Sequence, residues 1–451
     1  MTRRKRRQIF YLLVVLFFIV GTALVLYAQG WRFNIGTWSV SKVGGIFIRS
    51  LPDDARIFLN KKPIVNESAF LSRGTLISDL FPRTYWVELK EAGYDSWRES
   101  ATVSPSFVTE FKYAVLVPQN ATTAAESVQN FSVAHDTLVA QNWNGSVVSG
   151  TALIGKGTLI DESSDGNAVI IKNQTNGRYA LYQFQNGSTT DLTAILANGG
   201  AGKSDVSNIF FDPHDPGTII AAGLSKIWFI DEATMIAQGG SSSGGKAVQI
   251  EKTPIGEILG SAVAAGPSLI AWTESKKSGT SSTIVIYDKS SEGIIASSTV
   301  PGKNSELEWA KSNILSILQN DGELYLYDTG AQSITKIADD TKDFAATENG
   351  SSIAALENGS MEIIPTTGVS DDYYRFNLPD IADAQRVMWY KDAMHLFIEY
   401  GDHVSFLDLK DAGLNNFITV AIGTAPFYDS GENALYIVNP TENLIRFDFP
   451  K

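Results

Sequence analysis

Leu324-Tyr325-Leu326-Tyr327-Asp328 is a short run of strong β-formers closed by an aspartate, and the chain carries six more strands of this kind, four of them also closed by an aspartate. The other copies are Leu181-Tyr182-Gln183-Phe184, Ile227-Trp228-Phe229-Ile230-Asp231, Ile284-Val285-Ile286-Tyr287-Asp288, Met361-Glu362-Ile363-Ile364, Val404-Ser405-Phe406-Leu407-Asp408 and Leu444-Ile445-Arg446-Phe447-Asp448. Most follow a Gly or Asn turn and an apolar strand, such as Thr218–Ala222, Ser351–Leu356 and Met394–Ile398. Asp288 and Asp328 lie 40 positions apart, as do Asp408 and Asp448, while the longer interval of 57 from Asp231 to Asp288 holds the polar insertion Ser275–Ser282. A period near forty with several short strands per repeat predicts a β-propeller, and seven marks predict seven blades. The apolar stretch Thr137–Ala140 is the candidate for the extra strand that closes the ring. The repeats lack the Gly-His and Trp-Asp marks of WD40 blades, and the competing fold is a pair of irregular β-sandwiches.

Upstream of the repeats the pattern changes. From Gly45 to Pro118, strands at Ile46–Ile48, Arg56–Leu59, Tyr85–Leu89 and Thr109–Val117 alternate with period two. Turns separate them at Pro52-Asp53-Asp54, Asn60-Lys61-Lys62-Pro63, Phe81-Pro82-Arg83 and Ala92-Gly93-Tyr94-Asp95, so the region predicts a small antiparallel β-sandwich. The order of three pieces, Pro52-Asp53-Asp54-Ala55, Leu80-Phe81-Pro82-Arg83-Thr84-Tyr85 and Gly93-Tyr94-Asp95-Ser96-Trp97, resembles the PEGA domain over about 70 residues. Its motif positions fall on Pro52, Ala55, Pro82, Tyr85, Gly93, Tyr94 and Trp97. Asp53-Asp54 replaces the name-giving Glu-Gly, and Arg83 stands where a Gly usually follows the second Pro; both departures fall in turns. The resemblance implies a β-sandwich module of bacterial or archaeal envelopes that serves as spacer or attachment module and not as an enzyme.

At the N-terminus, Arg3, Arg4, Lys5, Arg6 and Arg7 precede an uncharged apolar run from Ile9 to Ala28. Twenty helical residues at about 1.5 Å each span about 30 Å, the thickness of a bilayer's hydrocarbon core. The run therefore predicts one transmembrane helix, and the basic cluster keeps the N-terminus in the cytoplasm. A cleaved signal peptide has a shorter apolar core, and Leu26 occupies a position where its cleavage site needs a small residue. A buried core helix would carry a polar face, which Leu12–Val20 lacks. Tyr27, Trp31 and Phe33 suit the aromatic belt at the outer membrane surface. The resulting division is a basic tail (1–8), the helix (9–28), a juxtamembrane connector (29–44), the PEGA-like sandwich (45–118), a linker of small polar residues (119–130) and the propeller (131–451).

Composition narrows the function. The formal net charge is -13 over 451 residues, and -18 once the five N-terminal basic residues are set aside, which argues against nucleic acid and anionic head groups as partners of the outer domains. The chain has no cysteine, which excludes disulfides, thiolate metal sites and cysteine nucleophiles. The four histidines, His135, His214, His395 and His403, do not fall at metal-ligand spacing.

Several motifs invite a chemical reading and favour a plainer one. Gly199-Gly200-Ala201-Gly202-Lys203-Ser204 resembles the end of a phosphate loop, but it runs into the strand-like Ile209-Phe210-Phe211 where a helix is required. Gly240-Ser241-Ser242-Ser243-Gly244 has nucleophile-elbow spacing inside a low-complexity loop, Gln238–Lys246. Of the eight Asn-x-Ser/Thr sites, at Asn66, Asn120, Asn130, Asn144, Asn173, Asn186, Asn349 and Asn358, four are Asn-Gly-Ser and read first as hairpin turns. The carboxylates at Asp212-Pro-His-Asp215, Asp339-Asp340 and Asp371-Asp372 lack the alternation of a calcium loop and read as solvated turns. The aspartates that close the repeated strands read as turn caps. Trp228, Trp272 and Trp309 read as packing between blades.

The expectation is a mostly β, single-pass membrane protein whose helix engages the bilayer, whose PEGA-like stalk sets the distance, and whose propeller's loop face binds a protein or glycan without cofactor or catalysis, outside the cytoplasmic membrane. The alternatives are a propeller-based glycan hydrolase or lyase, with acids converging on the central channel, and an envelope-assembly scaffold. No catalytic pair and no metal site is assigned from the sequence.

Overall fold

The computed structural model describes residues 3–36, 38–67, 74–202, 205–231, 246–254, 257–276, 279–366, 374–411 and 413–451. The elbow-like Gly240–Gly244, the Lys203-Ser204 pair and Asp371-Asp372 lie outside the described residues. The chain forms two units, one of Met1–Asn120 with Asp408–Ile418 and Phe449–Lys451, the other of Ala121–Leu407 with Thr419–Asp448.

The first unit starts with helix α1, Arg3–Ala28. The basic cluster forms its first turns instead of a separate tail. Strands β1 (Trp31–Asn34) and β2 (Ser39–Lys42) pair as a two-stranded hairpin. The sandwich follows, with β3 (Gly44–Leu51), β4 (Arg56–Leu59), β5 (Lys62–Ile64), β6 (Thr75–Leu80), β7 (Arg83–Lys90), β8 (Trp97–Val103) and β9 (Val108–Val115). One sheet has the order β6-β3-β9, the other β5-β4-β7-β8. Period-two alternation turns Ile46 and Ile48 of the first sheet, and Ile57, Val87, Leu89 and Ala101 of the second, into one shared core. The antiparallel expectation fails at one place, since β3 and β9 run parallel. Asn60 and Lys61, at φ of 48° and 67°, make the tight turn from β4 to β5.

Within this unit, the side chain of Asn416 pairs with the backbone of Arg98 on the edge strand β8. Its Oδ1 accepts from Arg98 N at 2.7 Å and its Nδ2 donates to Arg98 O at 2.8 Å, an imitation of strand pairing at an exposed edge.

Among the described residues, the second unit is a β-propeller of eight four-stranded antiparallel sheets, spanning 128–156, 158–191, 206–252, 257–301, 304–338, 341–376, 384–422 and, for the last, 424–448 together with β10 (Thr122–Ala125). Apolar clusters fill the junctions between successive sheets from the first to the sixth. Val387 and Trp389 bond across from the seventh sheet to the sixth, and Phe397 packs on Tyr428 between the seventh and eighth at 5.0 Å. Val128, Val133 and Ala140 of the first sheet meet Ala434, Tyr436 and Leu444 of the eighth, which closes the ring.

Eight sheets replace the seven expected. The seven marked strands are the third strands of sheets two to eight, whereas the first sheet's third strand, Ser146–Ser149, carries neither aromatic nor aspartate. Thr137–Ala140 is therefore part of a complete sheet and not the closing strand. That role falls to β10, where Thr122 pairs with Arg446 and Thr123 with Ile445. The stretch 119–130, expected as a linker, thus supplies the strand that completes the last sheet.

Candidate functional site

Three inner strands, Asn304–Lys311, Thr341–Ala346 and Ala384–Trp389, begin consecutive sheets and border a cavity of about 770 Å³. Strand alternation places Glu306 and Glu308 on one face of the first, and Asp343 and Arg386 join them from the next two. The turn after Trp389 adds Tyr390, Lys391 and Asp392, and the eighth sheet adds Tyr428 and Ser430.

The carboxylates act on one another. Burial, reinforced by the charges of Glu306 and Asp343, pushes Glu308 up to about 7. Burial and Glu306 push Asp343 up to about 6, against the opposing pull of the Val387 N–H and Arg386. Burial also raises Glu306, again opposed by Arg386. At neutral pH the cluster therefore holds a proton on Glu308 part of the time and presents both donors and acceptors.

Each of two carboxylates also ties one sheet to the next. Asp343 Oδ2 accepts from Val387 N at 2.7 Å, and Glu308 accepts from the backbone of Ala346. The same device recurs away from the cavity: Asp161 Oδ2 takes Phe211 N at 2.7 Å between the second and third sheets, and Glu399 Oε1 takes Ala425 N at 3.0 Å between the seventh and eighth. A feature repeated around the ring is a structural clip first, and this weighs against reading Glu308 and Asp343 as a catalytic pair.

An aromatic pair also lines the cavity. Tyr390 and Tyr428 stand 5.3 Å apart, and Tyr428 donates to Asn433 Oδ1 at 2.6 Å. Burial raises both phenols well above their usual range, so they stay protonated. Behind them the fully buried His395 stacks on Phe406 at 4.9 Å, and its Nδ1 lies 2.8 Å from Asp392 Oδ2. This fixes the imidazole as a core element that orients an aspartate at the cavity wall.

No family model and no curated protein matches the sequence. Among solved structures, an oligogalacturonate lyase in complex with manganese is similar at 10% identity and a TM-score of 0.47, over 74% of this chain and 99% of that one. An oligogalacturonate lyase from Vibrio parahaemolyticus has 10% identity and a TM-score of 0.46 over 73% and 98%. BamB from Moraxella catarrhalis has 9% identity and a TM-score of 0.46 over 73% and 100%. These likenesses concern the fold.

The residues singled out in the sequence lie elsewhere. Arg3, Arg4, Lys5, Arg6 and Arg7 open α1. Of the PEGA-like positions, Ala55, Tyr85 and Trp97 are buried in the sandwich core. Pro52 and Pro82 sit in its turns, and Tyr85 donates its hydroxyl to Phe81 O at 3.0 Å. Gly93 takes a positive φ of 85°, which a side chain would resist, and lets Tyr94 bridge to Pro118. These residues shape the core and turns of the sandwich.

The plainer readings account for the other motifs. Asp212 pairs with Lys289 of the next sheet and accepts from His214 N at 3.0 Å. Asp288, Asp328 and Asp408 accept from backbone amides two residues on. Asn144, Asn186 and Asn349 do the same within their Asn-Gly-Ser turns. Among the described residues, no three His, Asp or Glu side chains are placed to share a metal ion. Trp228 and Trp272 are fully buried in inter-sheet clusters.

Sequence reasoning did not single out Glu306, Glu308, Asp343 or Arg386. The available signal was Glu306-Leu307-Glu308-Trp309, two acids on one strand face directly after a turn; their meeting with Asp343 and Arg386 follows only from the ring.

Proposed function

We propose that this chain is a single-pass membrane protein with its N-terminus in the cytoplasm, whose PEGA-like sandwich is a stalk and whose propeller binds an extracytoplasmic partner without turning it over. The helical segment Arg6–Ala28, 23 residues long and uncharged from Gln8 onward, has the length and composition for one crossing and supports the anchor. The observation that carries the binding reading is the cavity: wide enough for a side chain or a sugar unit, edged by acids, Arg386 and tyrosines, with its two most perturbed acids already engaged by backbone donors. Such a lining suits a partner rich in hydrogen-bond donors, a glycan's hydroxyls or a protein's basic side chain.

One observation favours a catalytic second reading. Glu308, lifted to about 7 beside Asp343, has the acidity of a general acid at neutral pH. The detergent-solubilised full chain, immobilised and exposed to solubilised envelope proteins and glycans, separates the two. Binding predicts retention that weakens in Glu308→Gln with no change in the retained molecule. Conversion of a glycan to products by wild type, abolished in Glu308→Gln, overturns it.

A further inference from the structure

The β1–β2 hairpin has one apolar face and one polar face. Its register places Phe33 opposite Val40 and Trp31 opposite Lys42, whereas Arg32 opposite Ser41 and Asn34 opposite Ser39 share the other side. Phe33, Val40 and the turn residues Ile35 and Trp38 are 52%, 56%, 75% and 80% exposed, and Phe33 meets Trp38 edge-on at 5.9 Å. Four large apolar side chains on a two-stranded hairpin are a contiguous patch that no described residue of the sandwich covers.

The hairpin is fastened to the end of α1. Only Gln29 and Gly30 separate them, Val43 N returns to Gly30 O at 2.9 Å, and the Arg32 guanidinium lies 3.7 Å from the Tyr27 ring centroid while donating to Tyr27 O at 2.7 Å. Arg32 also pairs with Asp79 of the sandwich at 2.9 Å, so one side chain joins helix, hairpin and sandwich. Two or three extended residues reach about 10 Å at most. The polar zone of one leaflet is about 5–8 Å deep, so a hairpin fastened this close to the helix end lies at the head groups.

We propose that the hairpin is a membrane-inserting wedge: Phe33, Ile35, Trp38 and Val40 enter the boundary between head groups and acyl chains of the outer leaflet, while Asn34, Ser39 and Ser41 face water. The inference rests on the reading of α1 as an anchor. The occupant follows from continuity with the lipid-facing surface of the helix, and Trp31 with the Lys42 ammonium over its ring suits that zone. The wedge gives the stalk a second point of attachment and so fixes its tilt, which a single helix does not.

The test uses the absence of native cysteine. The full chain carrying a single nitroxide label at Val40→Cys, Ile35→Cys, Ser39→Cys or, as anchor control, Leu16→Cys is reconstituted in vesicles of phosphatidylcholine and phosphatidylglycerol. Its accessibility to oxygen and to a water-soluble nickel chelate is then compared. The wedge predicts an oxygen-to-nickel ratio several-fold higher at Val40 and Ile35 than at Ser39. Equal ratios at all three, with Leu16 deep in lipid, overturn the wedge and leave the anchor standing. Shielding of Val40 from both reagents overturns it in favour of a covering protein, and a water-exposed Leu16 removes anchor and wedge together.

Discussion

Two junctions of the ring make the same hydrogen bond in different surroundings. Between the second and third sheets, Asp161 clips the backbone of Phe211 inside a filled apolar cluster; between the sixth and seventh, Asp343 clips Val387 at the edge of an open cavity, with Arg386 beside it. The difference teaches that the carboxylate by itself marks architecture. Function is to be sought where the clip coincides with free volume and uncancelled charge.

The largest effect that sharpens this comparison is with pH. Burial lifts Glu162, next to Asp161, to about 8, and Glu308 at the cavity to about 7. Both values lie above the ordinary 4.5, so the folded state holds protons that the unfolded chain releases. Their stabilising contribution is complete below pH 4.5 and is lost as pH rises through 7 and 8. Urea unfolding across that window should show falling stability, with Glu162→Gln flattening the slope more than Glu308→Gln, because the Glu162 shift is the larger. A slope insensitive to Glu162→Gln would contradict the assignment.

Next comes removal of the clips. Asp161→Ala leaves the buried Phe211 N–H without its acceptor and should cost about 1–3 kcal/mol, whereas water in the cavity can replace Asp343, so Asp343→Ala should cost less than about 1 kcal/mol. Equal losses in denaturant melts would remove the distinction between the junctions. The smallest stability effect is expected for Arg386→Gln, an exposed side chain, within about 0.5 kcal/mol at acidic pH. The same change raises the pKa of Glu306 and of Asp343, which Arg386 now holds down, and so moves the pH at which stability is lost upward.

How much of this was legible depends on how local the signal is. Twenty uncharged apolar residues declare a helix of membrane length without help from the rest of the chain. The repeated aromatic-and-aspartate strands declare a propeller because each blade's third strand is buried and then turns, as Asp288 and Asp328 do. The first blade was hidden because its third strand, Ser146-Val-Val-Ser149, has only two apolar residues and lacks that mark, and the closing strand because Thr122-Thr-Ala-Ala125 has linker composition and becomes a strand only by pairing with Leu444–Arg446. The parallel β3–β9 pair was equally invisible, since alternation reads the same in either direction. The site is the least local feature of all: Glu308, Asp343 and Arg386 come from three different sheets, and closure of the ring is what brings them together.

The most direct test of the central claim is retention of solubilised envelope proteins and glycans by the immobilised full chain, wild type beside Asp161→Asn and Asp343→Asn. Asn keeps an oxygen for the backbone clip in both variants, so both fold. The account predicts that Asp343→Asn loses the retained partner, Asp161→Asn keeps it, and no variant alters it chemically. Identical retention by all three, or turnover by wild type that Asp343→Asn abolishes, would contradict it.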